Sequence, residues 1–122
     1  DVAVSRDGER IEVDLSALPA AEPAEDIGSR TIAAYAEMLE DAGTAILNGP
    51  AGVFEKPQFQ FGTRELYRAA TRAERSIVGG GDTAAAIREL GVDGFSHVST
   101  GGGAALRMLT GDTLPAVAAL EE

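Results

Sequence analysis

Apolar positions alternate through the N-terminal stretch VAVSRDGERIEVDL, around Asp7-Gly8. An Asp-Gly pair between alternating apolar positions predicts a β-hairpin, because a type I′ turn needs positive φ at both central residues. Val2 and Val4 then face Ile11 and Val13. The stretch SALPAAEPAEDIG has two prolines and no alternation, and predicts a loop. Beyond it the period changes. In SRTIAAYAEMLEDAG, Ile32, Tyr35, Ala36 and Leu39 share one helical face, with Ser29 as N-cap and Gly43 as terminator.

The rest of the chain repeats one theme. TAILN predicts a short buried strand, followed by the irregular GPAGVFEKPQFQFG. TRELYRAATRAER predicts a helix with Leu66, Ala69, Ala70 and Ala73 inward. SIV and FSHV predict further strands, each followed by three consecutive glycines and a helical run, TAAAIREL and ALRML. LPAVAAL is expected to close the chain against the core. Strands alternating with helices imply an α/β fold: a parallel sheet with helices on both faces, a Rossmann-like three-layer arrangement. The expected organisation is a hairpin over residues 1–16 and alternating α/β units over residues 29–122 of a partial domain.

The two glycine triplets, Gly79–Gly81 and Gly101–Gly103, need a reason. Each glycine inside a helix or strand costs roughly 0.5–1 kcal/mol relative to alanine. Parallel strands joined by right-handed crossovers all end at one edge of the sheet, where open α/β sheets bind ligands. Each triplet opens a helix, whose first N–H groups point outward with partial positive charge. Without a Cβ, a bulky anion can approach those amides. Two such turns on one edge suit a ligand with several phosphates. The alternative is a pair of tight turns with no ligand.

Charge narrows the partners. Twenty acidic residues stand against ten basic ones, and Lys56 is the only lysine. A net charge of −10 argues against nucleic acid and against an anionic membrane surface. Dense acidity with scarce lysine fits a halophilic protein in high salt, where self-repulsion is screened; a GC-rich genome gives a similar bias. With no cysteine, disulfides and thiolate metal sites are excluded. No apolar run reaches the roughly 20 residues of a membrane span. A start at Asp1 without methionine suggests either a piece of a larger protein or a processed terminus.

GGGDTA formally matches the dinucleotide pattern G-x-G-x-x-A through Gly79, Gly81 and Ala84. Two features oppose it. The next strand ends in Ser99-Thr100 rather than in an acid for a ribose, and Asp82 sits inside the loop. A carboxylate about 4 Å from a phosphate charge repels it by about 4 kcal/mol at an effective dielectric of 20, less once salt screens it. A helix N-terminus returns only about 0.3–1 kcal/mol. A cation resolves the conflict, since magnesium takes one or two carboxylates together with nucleotide phosphates. The alternative for Asp82 is a helix N-cap, shared with Thr83. P-loop and protein-kinase signatures are absent from the sequence.

NGPAGVFE (Asn48–Glu55), GGGDTA (Gly79–Ala84) and SHVSTGGGAAL (Ser96–Leu106), in this order, resemble the C-terminal lobe of phosphoglycerate kinase. DIGSRT and LPAVAAL follow the same family's pattern. The resemblance implies phosphoryl transfer between 1,3-bisphosphoglycerate and ADP in glycolysis and gluconeogenesis. It implies Mg²⁺ as cofactor, ATP and ADP as nucleotide substrates, and a two-lobed cytoplasmic protein that is a monomer at full length. Carried over residue by residue, Glu55 is expected to bind the ribose and Asn48 to approach the terminal phosphate. Gly80, Gly81, Asp82 and Thr83 are expected to hold the phosphates, with Asp82 reaching Mg²⁺. Gly101, Gly102 and Gly103 are expected to offer N–H groups to the migrating phosphoryl. Ser29, Ala51, Ala105 and Arg107 depart from the family's usual residues without removing any of these groups. The lobe that grips the glycerate is missing, so this piece alone is expected to be inactive.

Other residues carry less. His97 reads as a core or edge histidine satisfied by a neighbour, rather than a general base. Phe54, Phe59 and Phe61 read as a satellite core, with adenine stacking the alternative. Arg64, Arg68, Arg72 and Arg75 read as a solvated stripe on one helix face, paired with acids. Two functions of other classes compete with a kinase: a dinucleotide-binding part of an NAD-dependent oxidoreductase, and a non-catalytic acidic α/β module.

Overall fold

The computed structural model describes residues 1–121. Strands β1 (Val2–Arg6) and β2 (Glu9–Val13) form the expected hairpin, with Val2 opposite Val13 and Val4 opposite Ile11. Its turn has φ of 53° at Asp7 and 83° at Gly8, the positive values that the Asp-Gly pair supplies. The segment expected to be a loop instead contributes β3 (Ala24–Ile27), which pairs antiparallel with the free side of β1. Prolines and small residues mark the turns before it, but β1 leaves a row of main-chain groups unpaired, and the chain returns to satisfy them.

The second sheet is parallel, with strand order β4 (Thr44–Asn48), β5 (Arg75–Gly79), β6 (His97–Ser99). Helix α1 (Ser29–Glu40) precedes it, α2 (Phe61–Ala70) and α3 (Gly81–Leu90) join its strands, and α4 (Gly102–Leu109) and α5 (Pro115–Ala118) follow. One sheet face packs on α2 and α3. Ala45 meets Ala70 and Ala73, while Tyr67, Phe54, Ala86, Leu90 and Val92 form an adjoining cluster. The opposite face carries α4, and a cavity of about 620 Å³ opens there, lined by Ile77, His97, Ala105, Met108 and Leu109. Among the described residues no helix is long and apolar enough to cross a membrane.

Several expectations change. Gly28, not Ser29, is the N-cap of α1, and glycine has no side chain with which to cap it. The hairpin supplies the cap instead: Asp1 accepts from the amides of Arg30 and Thr31, and Glu12 accepts from the Ser29 amide and hydroxyl. Burial raises the Glu12 carboxyl, but hydrogen bonds from Ser29 and Arg10 together outweigh it and hold it below the usual range. Tyr35 is half exposed although it shares the face of buried Ile32. α5 lies beside α4 rather than on the core, leaving Val117 and Leu120 exposed. α2 ends at Ala70 and Arg75 begins β5, so the arginines are not one helical stripe. Arg68 does pair with Glu65, and Arg72 with Glu40, as expected of solvated charges.

Candidate functional site at the carboxyl rim of the parallel sheet

The register of the sheet places the last residues of three strands side by side. Asn48 lies beside Gly79, and Gly79 beside Ser99. The chain leaves β5 and β6 at the same rim, and each exit is a glycine turn into a helix. Gly80, at φ 108°, is the N-cap of α3, and Gly101 is the N-cap of α4. Only glycine adopts the Gly80 conformation readily.

The two turns touch. The Gly80 N–H donates to the Ser99 carbonyl at 3.0 Å, and the Gly101 N–H donates to Ser99 Oγ at 3.2 Å. A Cβ built on Gly102 lies 2.9 Å from Gly80 Cα and 3.0 Å from Asn48 Oδ1. A Cβ on Gly80 lies 3.2 Å from the same Asn48 oxygen. The Asn48 side chain therefore sits in the seam between the triplets, where any larger residue would push them apart.

Neither helix has a side-chain cap. The first helical hydrogen bonds are Ala84 N–H to Gly80 O and Ala105 N–H to Gly101 O. Among the described residues, the amides of Gly81, Asp82 and Thr83, and of Gly102, Gly103 and Ala104, have no main-chain partner. Nothing lies within 4 Å of a Cβ built on Gly81 or Gly103, so these positions face open space. Two clusters of free amides at helix N-termini, in contact with each other, suit an extended polyanion.

A family model for phosphoglycerate kinase matches residues 1–112. The chain belongs to the phosphoglycerate kinase family. The phosphoglycerate kinase of Natronomonas pharaonis is 69% identical over 100% of this chain, and that of Halobacterium salinarum 60% identical over 98%. The crystal structure of phosphoglycerate kinase from Pyrococcus horikoshii OT3 matches at a TM-score of 0.87 and 41% identity, over 98% of this chain and 31% of that one. The chain spans about a third of the length of the relatives it matches, 31% for the two curated proteins.

Family-based expectations for single residues meet this geometry unevenly. Asp82 is exposed in the first turn of α3, with no hydrogen-bond partner among the described residues. It is not the N-cap. Thr83 is fully buried and its hydroxyl accepts from the Gly49 N–H at 2.6 Å, so its side chain is turned inward and only its main-chain N–H, free of a main-chain partner among the described residues, is left for a ligand. Glu55 is exposed, at the far end of the loop after β4, held there by buried Phe54. Lys56 is engaged by Glu25 at 2.7 Å. Phe54 and Phe59 are core residues; Phe61 is exposed, with the Arg10 guanidinium 5.8 Å from its ring centre. His97 lies exposed on the edge strand with no hydrogen-bond partner among the described residues, contrary to a satisfied core histidine. An edge strand of three residues offers it no second layer of neighbours.

Three further residues shape the loop that carries Asn48 and Glu55, and sequence reasoning passes over them. Buried Thr63 accepts from the amides of Ala51 and Gly52 at 3.1 and 3.2 Å. Tyr67 donates to the Gly49 carbonyl at 3.2 Å. Buried Asp26 accepts from the amides of Gly62 and Ile27, each at 2.9 Å. Desolvation raises the Asp26 carboxyl above its ordinary value, against the lowering effect of those amides and of Arg10. The available signal was hydroxyls on the inward face of α2, Thr63 and Tyr67, one helical turn apart.

Proposed function

We propose that this chain is the nucleotide-binding part of a phosphoglycerate kinase, transferring a phosphoryl group between 1,3-bisphosphoglycerate and ADP. The observation that carries the reading is the meeting of two uncapped glycine turns at one rim, beside Asn48 and an unpaired Asp82. Phosphoryl transfer asks chiefly for positioning and for charge stabilisation. The free amides of Gly81, Asp82 and Thr83 would hold the nucleotide phosphates, while Gly80, expected to share in this, has its N–H engaged by the Ser99 carbonyl and serves to shape the turn. Those of Gly102 and Gly103 would face the migrating phosphoryl, with the Gly101 amide already engaged by Ser99 Oγ, Asn48 between the groups and Glu55 toward the ribose.

Mg²⁺ fits the donor set. Among the described residues no three His, Cys, Asp or Glu side chains gather as a metal cage, yet Asp82 is an exposed carboxylate in the first turn of α3, next to the free amides. A single carboxylate together with substrate phosphates is an ordinary way to hold magnesium. Asp82 would be its protein ligand, and the ion would neutralise charge between the phosphates. Asp82 without a cation would repel the phosphates that the amides attract.

The whole protein would act as a cytoplasmic monomer whose missing lobe grips the glycerate. This chain alone would be inactive, since the lobe that grips the glycerate is not part of it; its only lysine, paired with Glu25, is no substitute. The test is a titration of the full-length protein with ADP and with NAD, with and without Mg²⁺. Magnesium-dependent ADP binding that Asp82→Asn weakens at least tenfold is the expected result. NAD binding indifferent to magnesium, or no nucleotide binding, overturns the assignment.

A further inference from the structure

Asn48 is the last residue of β4, paired with Gly79, and the residue that follows it is held at both its main-chain polar groups. Gly49 has φ of 99°, and buried side chains from two helices hold both its main-chain polar groups. From α3, Thr83 Oγ1 accepts the Gly49 N–H at 2.6 Å. From α2, Tyr67 Oη donates to the Gly49 carbonyl at 3.2 Å. Thr83 is 0% exposed and Tyr67 1%. Burial pushes the Tyr67 phenol up to about 12, against a smaller opposite effect of the Thr83 hydroxyl, so it remains a donor through neutral pH.

The ring of Tyr67 is fixed without its hydroxyl. It meets Phe95 edge-on, with centroids 6.1 Å apart and planes at 86°, and packs with Phe54, Ala86, Leu90 and Val92. A phenylalanine would fill the same space. A buried hydroxyl is unfavourable unless it finds a partner, and its partner here is the carbonyl of the Gly49–Pro50 peptide, one residue beyond Asn48, whose side chain lies in the seam between Gly80 and Gly102.

We infer that Tyr67 is a positioning residue: with Thr83 it clamps Gly49, fixes Asn48 against the two glycine turns, and thereby sets nucleotide affinity. The inference rests on the proposed nucleotide site but not on Tyr67 touching the nucleotide.

The test uses the full-length protein. Tyr67→Phe keeps the ring and removes only the hydroxyl. The KM for Mg-ADP is expected to rise about three- to tenfold, as for one lost buried hydrogen bond, while the KM for phosphoglycerate stays unchanged. Phe95→Leu disturbs the same packing without touching Gly49, and should lower Tm while leaving the Mg-ADP KM alone. Hydrogen exchange at the Gly49 amide should speed up in Tyr67→Phe. An unchanged Mg-ADP KM, or an equal rise in both KM values, overturns the inference. If the parent protein binds no Mg-ADP, the functional reading fails, and Gly49 exchange then decides: unaltered exchange overturns the clamp, faster exchange upholds it.

Discussion

Alanine at Gly102 and alanine at Gly103 should have opposite consequences although the residues are neighbours. The Gly102 Cβ would stand 2.9 Å from Gly80 Cα, 3.0 Å from Asn48 Oδ1 and 3.3 Å from the Gly80 nitrogen. Carbon atoms pack best at about 3.5–4.0 Å, so the turns must part by at least ~0.6 Å. Neither yields freely, because Gly80 is hydrogen-bonded to the Ser99 carbonyl at 3.0 Å. Overpacking of this kind costs about 1–3 kcal/mol. At Gly103 nothing lies within 4 Å of the added carbon, so stability should hold. The same methyl would, however, stand in front of the free amides. Denaturant unfolding and steady-state kinetics of the full-length protein separate the two effects. Gly102→Ala should lower the unfolding free energy by about 1–3 kcal/mol. Gly103→Ala should leave it unchanged or raise it by up to about 1 kcal/mol, since alanine suits a helix better than glycine, and still slow phosphoryl transfer. Equal destabilisation by both, or a fully active Gly103→Ala protein, would refute the geometry or the assigned role respectively.

Three further outcomes follow from buried and surface charge. Asp26→Ala leaves the Gly62 amide without its acceptor and should destabilise by about 1–3 kcal/mol. Because the folded Asp26 carboxyl is raised, its favourable contribution is full below the unfolded value and is lost as pH rises through the folded one. Asp26→Asn should therefore flatten stability over that window, and a slope unchanged from the parent would count against the burial argument. With twenty acidic residues against ten basic ones, Tm should climb from low to molar KCl as self-repulsion is screened. A steady fall in Tm would mean that ion pairs such as Arg6–Glu22 and Lys56–Glu25 outweigh that repulsion.

The sequence by itself determined what depends on neighbours along the chain. Asp7-Gly8 demanded positive φ and made the hairpin turn, and the glycine triplets had to open helices at strand ends. The alternation of strands and helices dictated a parallel sheet, and hence one shared rim. Local signals of this kind act within a few residues, so they can be read without a fold. Tertiary structure decided the rest. β3 exists because β1 offered unpaired groups, and α1 is capped by Asp1 and Glu12 because the hairpin lies across its end. Thr83 turned its hydroxyl inward because Gly49 arrived beside it, 34 positions earlier in the chain. Tyr67 stands outside the inward set that the pattern of α2 predicts, Leu66, Ala69, Ala70 and Ala73, yet it is buried and its hydroxyl meets the Gly49 carbonyl. Hydrogen bonds between distant segments depend on ångström-scale placement by the packed core, and no pattern of polar and apolar residues encodes that distance.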